Sequence, residues 1–169
     1  EDVGGVCGFN GGTITNCYST GVLTAESNSV TNADGLCGSN SGTITNCYYL
    51  SDTENTENGG KTTEQFESGE VAYLLSQGCE VKETDSETGE ITSVTYSGEI
   101  WGQDLKENDT DTEYDKSPVL NGEKVYYGYL SCKDENMTYS NTEISQEKTH
   151  NYENGVCKVC GEVSNCAEH

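Results

Sequence analysis

One block of this chain is written twice, and that repetition constrains the fold more than any other feature. Residues 3–18 read VGGVCGFNGGTITNCY and residues 33–48, displaced by 30, read ADGLCGSNSGTITNCY, with eleven of the sixteen positions identical. Self-similarity at a fixed period of this size marks stacked supersecondary units, and each unit here holds short β-prone runs separated by glycine and asparagine turns. The expected fold class is therefore mainly β, with residues 1–60 forming the end of a parallel β-solenoid (β-helix). Equivalent residues of successive turns then stack at about 4.8 Å. That places Cys7 beside Cys37, Cys17 beside Cys47 and Asn16 beside Asn46.

Candidate strands in this block are residues 3–9, 13–18, 21–25, 36–39 and 43–50. Strict alternation would send Ile14 and Cys17 to opposite faces. A corner at Asn16 and Asn46 removes the conflict, because asparagine tolerates unusual backbone angles, and it turns Ile14 and Cys17 both inward. Two turns bury little apolar surface, and solenoids generally need about three or more repeats, so further turns are expected ahead of Glu1.

The segments GGVCGFNGGTITNCYSTG and DGLCGSNSGTITNCYYL resemble the GLUG repeat of large bacterial surface proteins, including non-catalytic regions of some immunoglobulin A peptidases. The resemblance implies an extracellular or cell-surface location on a bacterium. Cys7 and Cys37 stand where the family pattern has a small aliphatic residue, which implies core hydrophobes rather than reactive thiols. Further along, GKTTEQF, SGEVAYLL, WGQD and SPVLNGEKVYY resemble the module that follows such repeats in gut bacterial surface proteins.

Charge excludes some partners. Against 30 acidic residues stand 8 lysines and no arginine, a formal net charge of −22. Nucleic acid and anionic membrane surfaces need a cationic footprint and are not expected partners. No run of 18 apolar residues exists, so no membrane insertion is expected in this segment. With 31% apolar content, several thin modules suit the 169 residues better than one large core.

The expected modules are the repeats at 1–60, a capping helix with an acidic β module at 61–130, and a small Cys/His unit at 131–169. Thr62 and Gln65 suit a capping box, Ser68 suits the cap of a second short helix, and Val71, Ala72, Leu74 and Leu75 form its apolar face before Gly78 ends it. This helix is expected to lie over the last coil and close it. Residues 80–83 and 91–96 flank an acidic loop whose Thr88-Gly89 suits a hairpin tip. Val125, Tyr127 and Tyr129 alternate as a half-exposed strand, which serves either core and rim packing or, with Trp101, a sugar-binding platform. In NDTDTEYD, the carboxylates of Asp109, Asp111, Glu113 and Asp115 admit calcium or a plain solvated acidic loop; the EF-hand glycine and terminal glutamate are missing.

The sharpest chemistry lies at the end. His150, Cys157 and Cys160 in HNYENGVCKVCG form His-x6-Cys-x2-Cys with a glycine on either side of the cysteine pair. Two thiolates three apart on a tight turn can face one tetrahedral ion, and a nearby histidine can supply nitrogen, so structural zinc is the expected cofactor with Cys132 as fourth ligand. The arrangement Cys132-x17-His150-x6-Cys157-x2-Cys160 resembles small zinc-ribbon-like units of the same class of surface proteins. Three other readings stay open: a disulfide joining Cys157 or Cys160 to Cys132 or Cys166, a redox CxxC, and a local metal set of Cys157, Cys160, Cys166 and His169. Nine cysteines are an odd number, so at least one is free, metal-bound or paired elsewhere.

No HExxH, GxSxG or phosphate loop occurs, and both histidines belong to the metal argument. The chain thus reads as a non-enzymatic segment of a secreted or surface-displayed bacterial protein, acting in adhesion or in contact with a host protein or glycan. An accessory region of a large extracellular protease or glycosidase and a structural stalk are the other readings.

Overall fold

The computed structural model describes residues 2–23, 32–51, 59–78, 80–96, 101–108, 110–154 and 156–162. Among them the fold is mainly β, built from short strands in small sheets with two helices.

Each copy of the repeat makes four strands. The first supplies β1 (Asp2–Gly4), β2 (Cys7–Asn10), β3 (Thr13–Thr15) and β4 (Tyr18–Ser19). The second supplies β5 (Asn32–Asp34), β6 (Cys37–Asn40), β7 (Thr43–Thr45) and β8 (Tyr48–Leu50). Strands of the two copies pair in parallel at an offset of 30 residues, with Cys7 opposite Cys37, Ile14 opposite Ile44 and Tyr18 opposite Tyr48. The expected strand over residues 3–9 is broken at Gly5 and Val6. Residues 21–23 lie outside any strand, and 24–25 fall outside the described residues.

The asparagine corner is present. Asn16 and Asn46 adopt φ of 53° and 51°, a left-handed conformation in which asparagine is several-fold enriched. Their side chains form a ladder, with Asn46 Nδ2 donating to Asn16 Oδ1 at 2.7 Å, and Asn10 Nδ2 donating to Asn40 Oδ1 at 2.8 Å repeats the device. Between the two copies, Leu36, Cys37 and Cys47 are buried, with Cys7, Ile14, Cys17 and Ile44 packed against them. The sulfurs of Cys7 and Cys37 lie 3.4 Å apart as free thiols. These cysteines act as small apolar side chains, Cys37 and Cys47 fully covered and Cys7 and Cys17 half-buried.

β9 (Gly60–Lys61) adds one more parallel pairing, to β8, and leads into α1 (Thr63–Glu67) and α2 (Glu70–Gln77). The capping box forms as expected: Gln65 N–H donates to Thr62 Oγ1 at 3.3 Å, and Thr62 N–H donates to Gln65 Oε1 at 3.0 Å. The cap of α2 is Gly69 rather than Ser68. Its φ of 89° disfavours any side chain, and an added Cβ would lie 2.8 Å from the Leu105 side chain.

Helix α2 is the hub of the molecule. Val71 and Leu75, with Phe66 of α1, pack against Tyr18, Tyr48, Leu50 and Trp101, while Ala72 packs with Leu105 and Val125. Fully burying side chains such as Val71 and Leu75 contributes about 1.5–3 kcal/mol each. Its last turn is tied to the asparagine ladder: Asn16 Nδ2 donates to Gly78 O at 3.2 Å and Asn46 Nδ2 to Leu75 O at 3.3 Å. The helix therefore lies against both copies of the repeat, through Asn16 and Tyr18 of the first and Asn46 and Tyr48 of the second. A helix C-terminus leaves carbonyls without partners, and the ladder supplies donors for them. A cavity of about 450 Å³ is bordered by Leu36, Cys37, Ile44 and Cys47 of the second copy.

Beyond the helix come antiparallel pairs. β10 (Glu80–Thr84) pairs with β11 (Ile91–Tyr96), and the Asp85 carboxylate caps the intervening turn by accepting from the Glu87 and Thr88 amides. Gly89, at φ 73°, sits at the expected tip. β12 (Trp101–Gly102) pairs with β13 (Val119–Leu120), and β14 (Tyr126–Gly128) with β15 (Thr138–Ser140). Trp101 is edge-on to Tyr18 at 5.4 Å and donates its indole N–H to Asn16 O at 3.1 Å, whereas Tyr127 stacks on Tyr139 at 5.1 Å. The two rings thus belong to separate packing clusters and form no shared platform. Buried Gln103 donates to Phe66 O and Asp115 O, and Asn141 accepts from Leu105 N–H and donates to Gln103 O. These amides lock β15 onto the segment after β12.

Candidate metal centre

The C-terminal residues fold around a hairpin of β16 (Tyr152–Glu153) and β17 (Val156–Cys157), turned at Asn154 with φ 52°. The chain then doubles back at once. Cys157 N–H donates to Glu162 O at 2.7 Å, Gly161 N–H to Cys157 O at 2.9 Å, and Lys158 N–H to Asn151 O at 3.0 Å. Gly161, at φ 78°, makes the reversal possible. The tight turn aims the backbone N–H groups of Val159 and Cys160 at the Cys157 sulfur. Cys132 arrives on another turn, held by the Asp134 carboxylate, which accepts from the Ser131 amide at 2.7 Å and the Ser131 hydroxyl at 2.9 Å. His150 enters from the stretch after the Tyr129–Ser145 bridge.

The ligand atoms of Cys132, His150, Cys157 and Cys160 all lie within 4.8 Å of one another. Cys132 Sγ and Cys157 Sγ are 3.7 Å apart, and Cys160 Sγ is 3.3 Å from His150 Nδ1. Zinc–sulfur and zinc–nitrogen bonds set a tetrahedral sulfur–sulfur edge of about 3.8 Å and a sulfur–nitrogen edge of about 3.6 Å. The donor set and its spacing are compatible with zinc, and the four residues expected from the sequence can hold a metal ion.

The donors differ in electrostatics. Hydrogen bonds to the Cys157 sulfur, from the Cys160 amide first and then from the Val159 amide, outweigh its burial and pull its thiol down to about 5. Burial, followed by the neighbouring sulfurs of Cys160 and Cys157, pushes the Cys132 thiol up to about 11. One thiolate is thus ready at neutral pH, and the other gains most from a nearby cation. By whole-residue exposure Cys157 is 2% exposed, while Cys132, His150 and Cys160 are half-buried.

Glu162 was not among the expected residues. Its Oε2 lies 3.3 Å from His150 Nε2, on the far side of the ring from Cys160. A carboxylate accepting from Nε2–H leaves Nδ1 as the free lone pair that faces the sulfurs, the outer arrangement common around metal-bound histidines. Tyr152 supports the same ring, stacked at 5.6 Å.

Among the described residues Cys132, Cys157 and Cys160 are free thiols, and a bridge to Cys166 lies outside those residues. Cys157 ends a strand and residues 158–160 form a turn, which is not the helix start that a redox CxxC uses. Cys166 and His169, needed for the local set, lie outside the described residues, as does Cys79. In the acidic loop, Asp111 accepts from the Glu107 and Glu113 amides and Asp115 from the Asp104 amide. Those carboxylates serve their own turns, and Asp109 lies outside the described residues, so no calcium cluster forms among those described.

Comparison with known proteins finds one likeness. Residues 1–24 match the family model described as the GLUG motif. No curated protein matches the chain, and no solved structure does. The match falls on the first of two copies that pair in register, and it supports a place for this chain among GLUG-repeat proteins.

Proposed function

We propose that this chain is a non-catalytic segment of a secreted or surface-displayed bacterial protein that makes adhesive contact with a host protein or glycan. In this reading the paired copies are the end of a parallel β-solenoid, and zinc held by Cys132, His150, Cys157 and Cys160 stabilises a C-terminal zinc-ribbon-like unit. The observation that carries it is the residue-for-residue parallel stacking of the GLUG-matching segment on its second copy. A charge of −22 favours solubility and disfavours binding to nucleic acid, and among the described residues no helix is long and apolar enough to cross a membrane. Zinc would supply folding free energy to a unit whose strands β16 and β17 are two residues long and bury little.

Two measurements test this. Elemental analysis of chain purified without added metal is expected to give about one zinc per chain for one four-ligand site; a metal-free chain with an intact Cys132–Cys157 or Cys157–Cys160 disulfide overturns the zinc assignment. Beads coated with the chain are expected to attach to epithelial cells or mucin more than beads coated with unfolded chain. Equal attachment removes the adhesive role and leaves the stalk.

A further inference from the structure

We infer that the cleft between α2 and residues 121–127 and 143–146 is a binding site for a short neutral saccharide. This rests on reading the chain as a contact module and assigns that contact a place. The cavity measures about 700 Å³, inside the range of about 300–1,000 Å³ common for small-molecule sites. Tyr73 and Ser76 of α2 form one wall, Lys124 and Tyr126 the second, and Glu143 and Gln146 the third. Buried Val125 lines it as well.

The walls are held before any ligand arrives. Tyr129 N–H donates to Ser145 O at 2.8 Å, and Asn141 Nδ2 donates to Lys124 O at 3.2 Å. Tyr73, Tyr127 and Tyr139 pack together with ring centroids 5.1 to 5.8 Å apart. The Lys124 ammonium sits 4.7 Å above the Tyr126 ring and fixes both side chains at the edge. A site that is already ordered loses less entropy on binding.

The functional groups select the ligand class. Lys124 can only donate, the Glu143 carboxylate can only accept, and Ser76, Ser145, Asn121 and Gln146 can do both. A matching ligand must donate and accept at short intervals and also present an apolar face to tyrosine, which is the chemistry of a sugar ring: hydroxyls at its edge and C–H groups on its faces. A proline-rich peptide also suits an aromatic groove, but its prolines have no N–H to offer Glu143 or Gln146. An anionic ligand meets one lysine against one glutamate in the cleft and the field of a chain at −22.

The test is a titration of isotope-labelled, zinc-loaded chain with maltotriose, cellotriose and tri-N-acetylchitotriose, followed by amide NMR shifts. At least one is expected to give saturable shifts confined to the amides of 121–127, 143–146 and the end of α2. Glu143→Ala and Gln146→Ala, both at exposed side chains, are expected to weaken that binding about tenfold each while leaving the remaining spectrum unchanged, the factor expected for a lost hydrogen bond to the ligand. Saturable shifts elsewhere on the surface, unaffected by these variants, overturn the cleft and leave the adhesive role standing. No shift with any of the three overturns the inference alone, since bead attachment reads the wider role independently. Shifts at the same amides with a proline-rich decapeptide, but with none of the sugars, overturn the ligand class.

Discussion

Replacing Gly78 with alanine tests the junction between the helix and the repeats. Gly78 has φ −71° and ψ −15°, a conformation open to any residue. At such a position Gly→Ala ordinarily stabilises by about 0.4–1 kcal/mol. Here the new Cβ would lie 2.1 Å from Asn46 Nδ2 and 2.2 Å from Asn16 Oδ1. Both are tips of side chains that can rotate away, so the cost is the hydrogen bonds they give up. Those are Asn46 to Asn16, Asn16 to Gly78 O and Asn46 to Leu75 O. Each contributes about 0.5–1.5 kcal/mol. Because the asparagines are half-buried and water can re-solvate them, the lower part of that range applies, and Gly78→Ala should destabilise by about 1–2 kcal/mol net. The corresponding fall in Tm is about 2–8 °C for a chain of this size. Urea unfolding of the zinc-loaded chain, followed by Trp101 fluorescence, reads it directly, since the indole N–H is bonded to Asn16 O. A second background sharpens the result: Asn16→Gly with Asn46→Gly keeps the left-handed corners and removes the obstructing tips. In it, Gly78→Ala should become neutral or stabilising. A single variant as stable as the parent, or a penalty that persists in the double-glycine background, would refute the ladder as the cause.

Leu75→Ala, at a side chain 0% exposed, should cost about 2–5 kcal/mol; a smaller loss in urea unfolding means α2 is not the hub. Glu162→Gln should lower zinc affinity about 10–100-fold in competition with a chromogenic chelator, and an unchanged affinity removes Glu162 from the support of His150. Chelation should raise hydrogen exchange at residues 150–160 while residues 138–141 stay protected, because Asn141 and strand β14 hold the latter without metal; loss of protection in both together contradicts this. Burial, then the charge of Glu70, pushes the Tyr139 hydroxyl well above its usual range. The folded chain thus keeps a proton that the unfolded chain releases near pH 10, so this contribution is complete below about pH 10 and declines above it. Tyr139→Phe should flatten that alkaline decline, and a decline of unchanged slope denies Tyr139 the role.

Two features of this molecule were open to sequence reasoning because their causes are local. A period of 30 residues makes each strand's neighbour its own copy, so the register of Cys7 with Cys37 and of Ile14 with Ile44 follows from identity alone. The conflict between strand alternation and an inward Cys17 likewise demands a corner at Asn16, where φ is 53°. For the candidate metal cluster, a cysteine pair three apart on a tight turn can face one ion, and the ligand atoms of Cys132 and His150 lie within 4.8 Å of that pair. Other features rest on contacts between residues far apart in the chain. Nothing in the spacing of Thr62 to Gly78 says which residues of the repeats the helix meets; the asparagine ladder, with donors to offer Leu75 O and Gly78 O, decided that. Trp101 lost its place beside Tyr127 because Tyr18 and Asn16 received it, 83 and 85 residues away along the chain. Glu162, the paired amides of Gln103 and Asn141, and the cleft beside α2 have no sequence period or motif. The Gln103 and Asn141 bonds and the cleft exist because α2 packs against residues 101–145, whereas Glu162 reaches His150 through the chain reversal at Gly161.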